Sequence, residues 1–245
     1  MHPILFRWGP ITFYSYGLML GFGFLVASTL AIRRASRIGL NPAQIQTLSG
    51  IVLLAGIAGA RAVYVLLNWE MFDSNWLEIF RLDHGGLVFY GGLTGGIFAG
   101  VWYLRRAQLP LWKTVCLMIP PLVLAHAIGR IGCFLNGCCY GRPTHLPWGV
   151  VFPLETFSRH PTQLYESGAL VLLFFLLKEL ERRDPKPGTV LLTYGVLYGT
   201  WRFLIEFLRG DNPVVAWGLT AFQWMSLPLA VGCGWFLLRR AKRSV

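Results

Sequence analysis

Gly129-Arg130-Ile131-Gly132-Cys133-Phe134-Leu135-Asn136-Gly137-Cys138-Cys139-Tyr140-Gly141 closes a hydrophobic run that begins near Leu117. The run is apolar enough to lie in a membrane, yet its end carries an arginine, an amide, three cysteines and four glycines. An ionisable side chain at that depth is costly unless it faces a partner, a cavity or a ligand. The glycines let backbone approach closely and turn where other residues cannot. A fixed cation beside a flexible turn therefore marks the site, and the other segments read as its walls and supports.

The composition sets the class. The chain has 245 residues, 55% hydrophobic and 13% charged, against about a quarter charged in soluble domains. This is the balance of an integral membrane protein, expected as an all-α polytopic bundle. The net charge of +11 sits in short clusters between apolar runs. Such clusters set topology and touch anionic lipid headgroups, so membrane lipid is the expected partner and nucleic acid is not. No Ser/Pro-rich linker and no fixed-period repeat divides the sequence, so residues 1–245 are expected to form a single transmembrane domain.

A spanning helix needs roughly 20 mostly apolar residues. About seven runs meet or approach this: Ile11–Ile32, Leu48–Leu67, Leu87–Leu104, Val115–Leu135, Gln163–Leu177, Thr189–Leu208 and Gly218–Leu238. The first is long enough to span, and its arginines follow it, so it is read as a retained helix and not a cleaved leader. The fifth is short and opens on polar residues, which places its outer end inside protein. The third is glycine-rich and suited to close helix packing.

Charge predicts orientation. Arg33, Arg34 and Arg37 follow the first run; Arg105, Arg106 and Lys113 the third; Lys178, Arg182, Arg183 and Lys186 the fifth; Arg239, Arg240, Lys242 and Arg243 the seventh. Basic loops stay cytoplasmic. The N-terminus is then outside, the C-terminus cytoplasmic, and the Gly129–Gly141 stretch at the outer face. Two outer segments follow, about 69–86 and 136–162. In the first, Trp69, Phe72, Trp76, Ile79 and Phe80 recur at helical spacing among acids, which fits an interfacial helix or an aromatic loop. The second holds Pro143, Pro147, Pro153 and Pro161, so a small irregular cap is expected.

Polar groups gather at the outer ends of the runs: Tyr16 in the first, Arg61 in the second, His84, Gly85, Gly86 and Tyr90 opening the third, Arg130 and Asn136 closing the fourth. His160, Gln163, Tyr165 and Glu166 open the fifth; Arg202, Glu206 and Arg209 end the sixth. Guanidinium is always charged and forks onto two phosphate oxygens, so Arg130 is read as an anion binder. Arg202 and Glu206 are four apart, on one helix face, where a plain ion pair is the other reading. Arg61 reads as structural, snorkelling or paired with Glu206. His84 reads as an interface residue or a base, and Tyr90 as an edge anchor or a proton-relaying hydroxyl.

Cys116 and Cys233 read as small core residues. Cys133, Cys138 and Cys139 lack paired C-x-x-C spacing and are one ligand short of a zinc site, so no metal is expected there. A Cys133–Cys138 disulfide is a further reading, because the outer face is oxidising.

The chain resembles the bacterial prolipoprotein diacylglyceryl transferase family. The resemblance rests on Tyr16-Gly17-Leu18-Met19, Gly85-Gly86-Leu87-Val88-Phe89-Tyr90-Gly91-Gly92, the Gly129–Gly141 stretch, His160-Pro161-Thr162-Gln163-Leu164-Tyr165-Glu166, and Tyr198-Gly199-Thr200-Trp201-Arg202 running to Glu206 and Arg209. It implies an enzyme of the bacterial cytoplasmic (inner) membrane with its active site towards the extracytoplasmic face. It implies transfer of diacylglycerol from phosphatidylglycerol to the lipobox cysteine of an exported prolipoprotein, giving a thioether and glycerol phosphate. Catalytic roles fall on Arg130, Arg202 and Tyr90, the last where many members carry a histidine. Substrate-binding roles fall on Tyr16, Arg61, His84, Gly85, Gly86, Asn136, Gly141, His160, Glu206 and Arg209, with Glu206 orienting Arg202. No cofactor is implied.

Two positions depart from the family signature G-R-x-G-N-F-x-N-G-E: Cys133 stands at its asparagine and Cys138 at its glutamate. Alternatives to the main reading are a related transferase with another donor or acceptor, and a non-enzymatic anion- or lipid-binding membrane protein.

Overall fold

The computed structural model describes the chain except residues 10, 74, 82–84, 154, 184–185, 187 and 243–245, and except the side chains of Trp8, Ile11, Ala241 and Lys242. His84 therefore lies outside the described residues. Seven α-helices are present among those described: α1 (Ser15–Ala35), α2 (Pro42–Leu67), α3 (Phe89–Arg106), α4 (Leu111–Asn136), α5 (Thr162–Arg182), α6 (Thr189–Ile205) and α7 (Ala221–Lys242). Four helical segments are long and apolar enough to cross a membrane: Ser15–Ile38, Pro42–Leu67, Leu111–Asn136 and Ala221–Arg240. The chain divides into two compact units, one of residues 1–29 and 115–245, the other of residues 30–114.

The larger unit opens on a hairpin of β1 (Ile4–Trp8) and β2 (Ile11–Tyr14). Ile11–Tyr14 was expected inside the first helix. Its β-branched and aromatic residues take the strand instead, and α1 starts at Ser15. The Ser15 hydroxyl donates to the His2 carbonyl, and the His2 N–H donates to the Leu135 carbonyl at 3.2 Å, which ties the hairpin to the end of α4. Glycine lets α1 and α4 meet closely. A Cβ on Gly132 would stand 2.9 Å from Met19 Cβ and 3.4 Å from the Tyr16 ring.

Helix α4 carries Pro120 and Pro121 in its interior. Neither has an N–H to give the preceding turn. The chain after α4 forms the irregular cap expected from its prolines. It contains two-residue strands β3 (Val150–Val151) and β4 (Ser158–Arg159). Phe152 is its buried centre, 4.8 Å from Tyr140 and 6.0 Å from Phe134 between ring centroids. A hairpin of β5 (Val214–Ala216) and β6 (Leu219–Thr220) leads into α7, so this helix begins at Ala221, after the expected Gly218.

Helix α5 shows how the sequence places the site. Its buried residues are Thr162, Gln163, Glu166, Ser167, Leu170, Leu173, Phe174 and Leu177. They recur every three or four positions, so they form one face. The start of that face is polar and the rest apolar. Leu172, Phe175 and Leu176 are exposed on other faces. Ser167 donates to the Ala127 carbonyl at 3.0 Å and fastens α5 to α4.

In the smaller unit, Asn41 caps α2 by accepting the Ala43 N–H at 2.9 Å, and Pro42 occupies the first turn, where its missing N–H costs nothing. Helices α2 and α3 pack through glycine. A Cβ on Gly95 would lie 2.6 Å from the Ala55 carbonyl oxygen. Gly59 and Gly91 are in still closer contact. The continuous interfacial helix considered for residues 69–83 is replaced by two short 3-10 turns, Trp69–Met71 and Trp76–Phe80. Asn75 accepts the Leu77 N–H, so the second turn starts afresh there. Trp69, Trp76 and Phe80 are exposed, and Phe72 is buried.

Candidate active site

Two buried acids organise the larger unit. Glu166, on α5, sits 2.9 Å (Oε1) from Arg130 Nη2 on α4. The same Oε1 lies 3.4 Å from the Tyr198 hydroxyl on α6 and 3.7 Å from His126 Nε2 on α4. His126 and Arg130 are four apart, so they share a helix face. Glu166 Oε2 and Arg130 Nε are buried with no hydrogen-bond partner among the described residues.

Glu206 is the second centre, at the end of α6. Its Oε1 accepts from Asn212 Nδ2 at 2.6 Å and from the Thr220 hydroxyl at 2.8 Å. Its Oε2 is 2.8 Å from Arg202 Nη1, but the groups are not aligned for a hydrogen bond. Arg202 stacks on Phe222, with its guanidinium carbon 4.7 Å from the ring centroid. Arg209 forks onto Asp211, at 3.0 Å through Nε and 2.5 Å through Nη2, and stands 3.8 Å from Glu206.

These centres act on one locality. The charges of Arg130, Arg202 and Glu166 all bear on His126 and on Tyr198. Arg209 feels Arg130 and Cys139. The two guanidiniums therefore act electrostatically on the same two side chains. Three arginines meet three carboxylates, so the cluster is balanced, and each guanidinium is held by an acid with N–H groups to spare.

The loop after α4 completes this side. Gly137, at φ 75°, ends the helix, and the Cys138 N–H returns to the Cys133 carbonyl at 3.2 Å. Asn136 is the last residue of α4, and its side chain interacts with Cys138. Helix α5 holds the loop from below: Gln163 Nε2 donates to the Cys138 carbonyl at 2.5 Å and Thr162 Oγ1 to the Cys139 carbonyl at 2.9 Å. Gly141 bridges to Arg209 and gives its N–H to the His160 carbonyl at 2.8 Å. A Cβ there would meet the Leu208 carbonyl oxygen at 2.6 Å and His160 Cβ at 2.7 Å, so only glycine fits. His160 Nδ1 lies 3.3 Å from the Tyr165 hydroxyl, which accepts from Trp148 Nε1 at 2.7 Å. Tyr16, partly exposed, feels Arg130 and all three cysteines of the loop.

The cysteines are free thiols, so the Cys133–Cys138 disulfide considered from the sequence is not formed.

The smaller unit holds the remaining expected residues. Arg61, read from the sequence as snorkelling or paired with Glu206, is held by backbone. It donates to the carbonyls of Ile79 (2.8 Å), Glu78 (2.6 Å), Gly85 (2.8 Å) and Gly86 (3.2 Å). Gly85 and Gly86 both take φ 75°, and a Cβ on Gly86 would reach Arg61 Nη1 at 2.7 Å. These three residues form a backbone clamp. Tyr90 lies in the first turn of α3, about half exposed, and the Thr94 hydroxyl bonds its carbonyl at 2.9 Å.

Sequence reasoning named Glu166 as polar and Tyr198 within a family motif but gave neither a role, and it passed over His126, Asp211, Asn212 and Thr220. Spacing held a usable signal for two of them: His126 is one turn before Arg130, and Tyr198 one turn before Arg202. Thr220 and Asn212 reach Glu206 only through the hairpin before α7, which no local pattern announces.

Apolar helices around buried arginine–carboxylate pairs define a membrane protein whose site suits an oxyanion. The family model of prolipoprotein diacylglyceryl transferase matches residues 3–239, and the chain belongs to that family. It is 36% identical to the phosphatidylglycerol–prolipoprotein diacylglyceryl transferase of Clostridium tetani, over 93% of this chain and 93% of that protein. It is 37% identical to the protein of the same name from Geobacillus kaustophilus, covering 96% of this chain and 91% of that one. For that of Chloroflexus aggregans the identity is 39%, over 86% and 74%.

Proposed function

We propose that the chain moves the diacylglyceryl group of phosphatidylglycerol onto the thiol of a lipobox cysteine in a prolipoprotein signal peptide, releasing glycerol phosphate. The carrying observation is that Arg130 and Arg202, each fixed by its own buried acid, bear on the same His126 and Tyr198. The protein spans a bacterial cytoplasmic membrane with seven helices, its N-terminus outside and its site towards the outer face. The single-domain organisation expected for residues 1–245 belongs to the same reading.

The chemistry breaks a carbon–oxygen bond of glycerol and forms a carbon–sulfur bond. The nucleophile comes from the substrate peptide, so the enzyme must bind, orient and manage charge. Negative charge grows on the departing phosphate. Guanidinium groups already oriented in a dry site stabilise that charge without reorganising. Arg130 and Arg202 fill this role; Glu206, with Asn212 and Thr220, positions Arg202.

A thiol near pKa 8.5 is mostly protonated at neutral pH. Glu166 Oε2, buried and unpartnered beside Arg130, is placed to take the thiol proton. Neutralising Glu166 releases the charge of Arg130 as the phosphate acquires its own, so the buried site stays balanced. Tyr16, Asn136, Gly141, His160 and Arg209 shape the pocket and its rim. Tyr90 keeps the catalytic role and His84 the substrate-binding role that the family pattern gives them, whereas Arg61, Gly85 and Gly86 support α3. No metal or organic cofactor enters the step.

The test is to incubate the purified protein with phosphatidylglycerol and a lipobox peptide. The expected result is a diacylglyceryl mass gain on the peptide cysteine and release of glycerol phosphate. Intact peptide in the presence of folded protein overturns the reading.

A further inference from the structure

The loop after α4 brings three thiols together. The sulfur atoms of Cys133, Cys138 and Cys139 all lie within 4.8 Å of one another, with Cys138 and Cys139 at 3.6 Å. Three sulfurs each about 2.3 Å from one ion stand roughly 4 Å apart in a trigonal plane. The observed triangle is close to that spacing.

The geometry is built. Gly137 turns the chain back at φ 75°, and Cys139 adopts φ 65° although it has a Cβ. A side-chain-bearing residue in the left-handed region is unfavourable and persists only where its surroundings impose it. Gln163 and Thr162, both 1% exposed, impose it here by binding the carbonyls of Cys138 and Cys139. Cys133 is buried, while Cys138 and Cys139 are part-exposed, so the triangle has a protected base and an accessible side.

We propose that Cys133, Cys138 and Cys139 form a three-thiolate site for one soft metal ion, best matched by Cu(I). Thiolate donors select soft ions. Cu(I) is satisfied by three sulfurs in a plane, whereas a structural zinc site wants a fourth ligand. Binding displaces three thiol protons to solvent and involves no change of oxidation state. The bound ion cross-links the end of α4 to the loop that leads to Gly141, next to Arg130. Metal uptake is measured without lipid transfer, so it stands or falls separately from the transferase activity.

The experiment uses the full chain in detergent, anaerobic, with its thiols reduced and counted. Cu(I) is titrated against a chromophoric Cu(I) chelator. One ion per chain is expected, with X-ray absorption showing three sulfurs at about 2.3 Å. Cys133→Ser, Cys138→Ser and Cys139→Ser should each lower the affinity at least tenfold, while Cys116→Ser and Cys233→Ser leave it unchanged. Fully reduced wild-type protein that takes up no Cu(I), or an absorption spectrum with two sulfurs or fewer, overturns the site. Unchanged affinity in all three loop variants does so as well.

Discussion

Arg130 on α4 and Glu166 on α5 meet at 2.9 Å, with the arginine side chain 15% and the glutamate 1% exposed. This contact joins two helices and holds a guanidinium whose Nε has no acceptor among the described residues. Removing one partner of a buried pair leaves the other charge uncompensated, at a cost of about 3–5 kcal/mol. The two halves should therefore fail differently. Arg130→Ala should cut transfer by on the order of 10²–10³-fold or more and weaken phosphatidylglycerol binding. Glu166→Gln should lower kcat comparably while leaving KM for the lipid unchanged or lower, because it frees the guanidinium. Equal KM increases in both variants would show that Glu166 only positions Arg130.

Gly141→Ala is a geometric test of the loop. The added Cβ would lie 2.6 Å from the Leu208 carbonyl oxygen, 2.7 Å from His160 Cβ and 2.8 Å from Thr162 Cγ2. Overpacking of this kind costs about 1–3 kcal/mol. The expected outcome is a chain that still inserts, melts at lower temperature and transfers poorly, since Gly141 bridges to Arg209. Wild-type melting and transfer in Gly141→Ala would show that the loop can relax freely.

The cap carries a pH-dependent contact. Tyr140 donates to Glu155 Oε1 at 2.6 Å, and Arg159 Nη2 lies 2.7 Å from Oε2. The Tyr140 hydrogen bond, with Arg159 beside it, holds the Glu155 carboxyl below its ordinary range. A carboxyl with a lower pKa in the folded than the unfolded state stabilises fully above its unfolded value, near 4.3, and loses that contribution as pH falls through the folded value. Thermal melts of wild type and Glu155→Gln should thus differ at pH 6 and converge as the pH falls through the lowered folded-state value. A difference that is constant with pH would remove the ionised carboxylate from the account.

Much of this was legible because membrane helices write themselves in composition. Every expected apolar run overlaps one of the seven α-helices, four helical segments are long and apolar enough to cross a membrane, and Arg130, Arg202 and Glu206 stood out as charges in apolar surroundings. The misreadings share one cause: contacts from distant segments overrode local pattern. Ile11–Tyr14 looked like the start of a span because its residues are apolar, but pairing with Ile4–Trp8 makes it a strand. For Arg61 the sequence offered snorkelling or a pair with Glu206, and four backbone carbonyls hold it instead. Glu166 was visible beside Gln163, but its partner lies 36 residues earlier in the chain.

Tyr90 separates a relay from an anchor. It opens α3 and is 49% exposed. Tyr90→Phe keeps the ring and removes only the hydroxyl. Loss of transfer on the order of 10²-fold or more, with melting unchanged, is expected of a group that moves or holds a proton. A variant at wild-type rate makes Tyr90 a packing residue at the membrane edge.

Arg202 tests whether shape matters as well as charge. Its guanidinium is fixed on three sides: Glu206 at 2.8 Å, Phe222 beneath the plane, and the α6 backbone that carries it. Lysine keeps the charge but loses the planar fork and the stacking. An ammonium would still balance Glu206, so Arg202→Lys should melt close to wild type. It should nonetheless transfer slowly, by on the order of 10²-fold, because one point charge cannot bridge two phosphate oxygens in a fixed direction. Arg202→Ala should lose transfer further and also destabilise, since among the described residues Glu206 would then keep Arg209, at 3.8 Å, as its one cation. If lysine restored full transfer, the site would need only positive charge at this position, and the forked geometry of Arg202 would have no catalytic part.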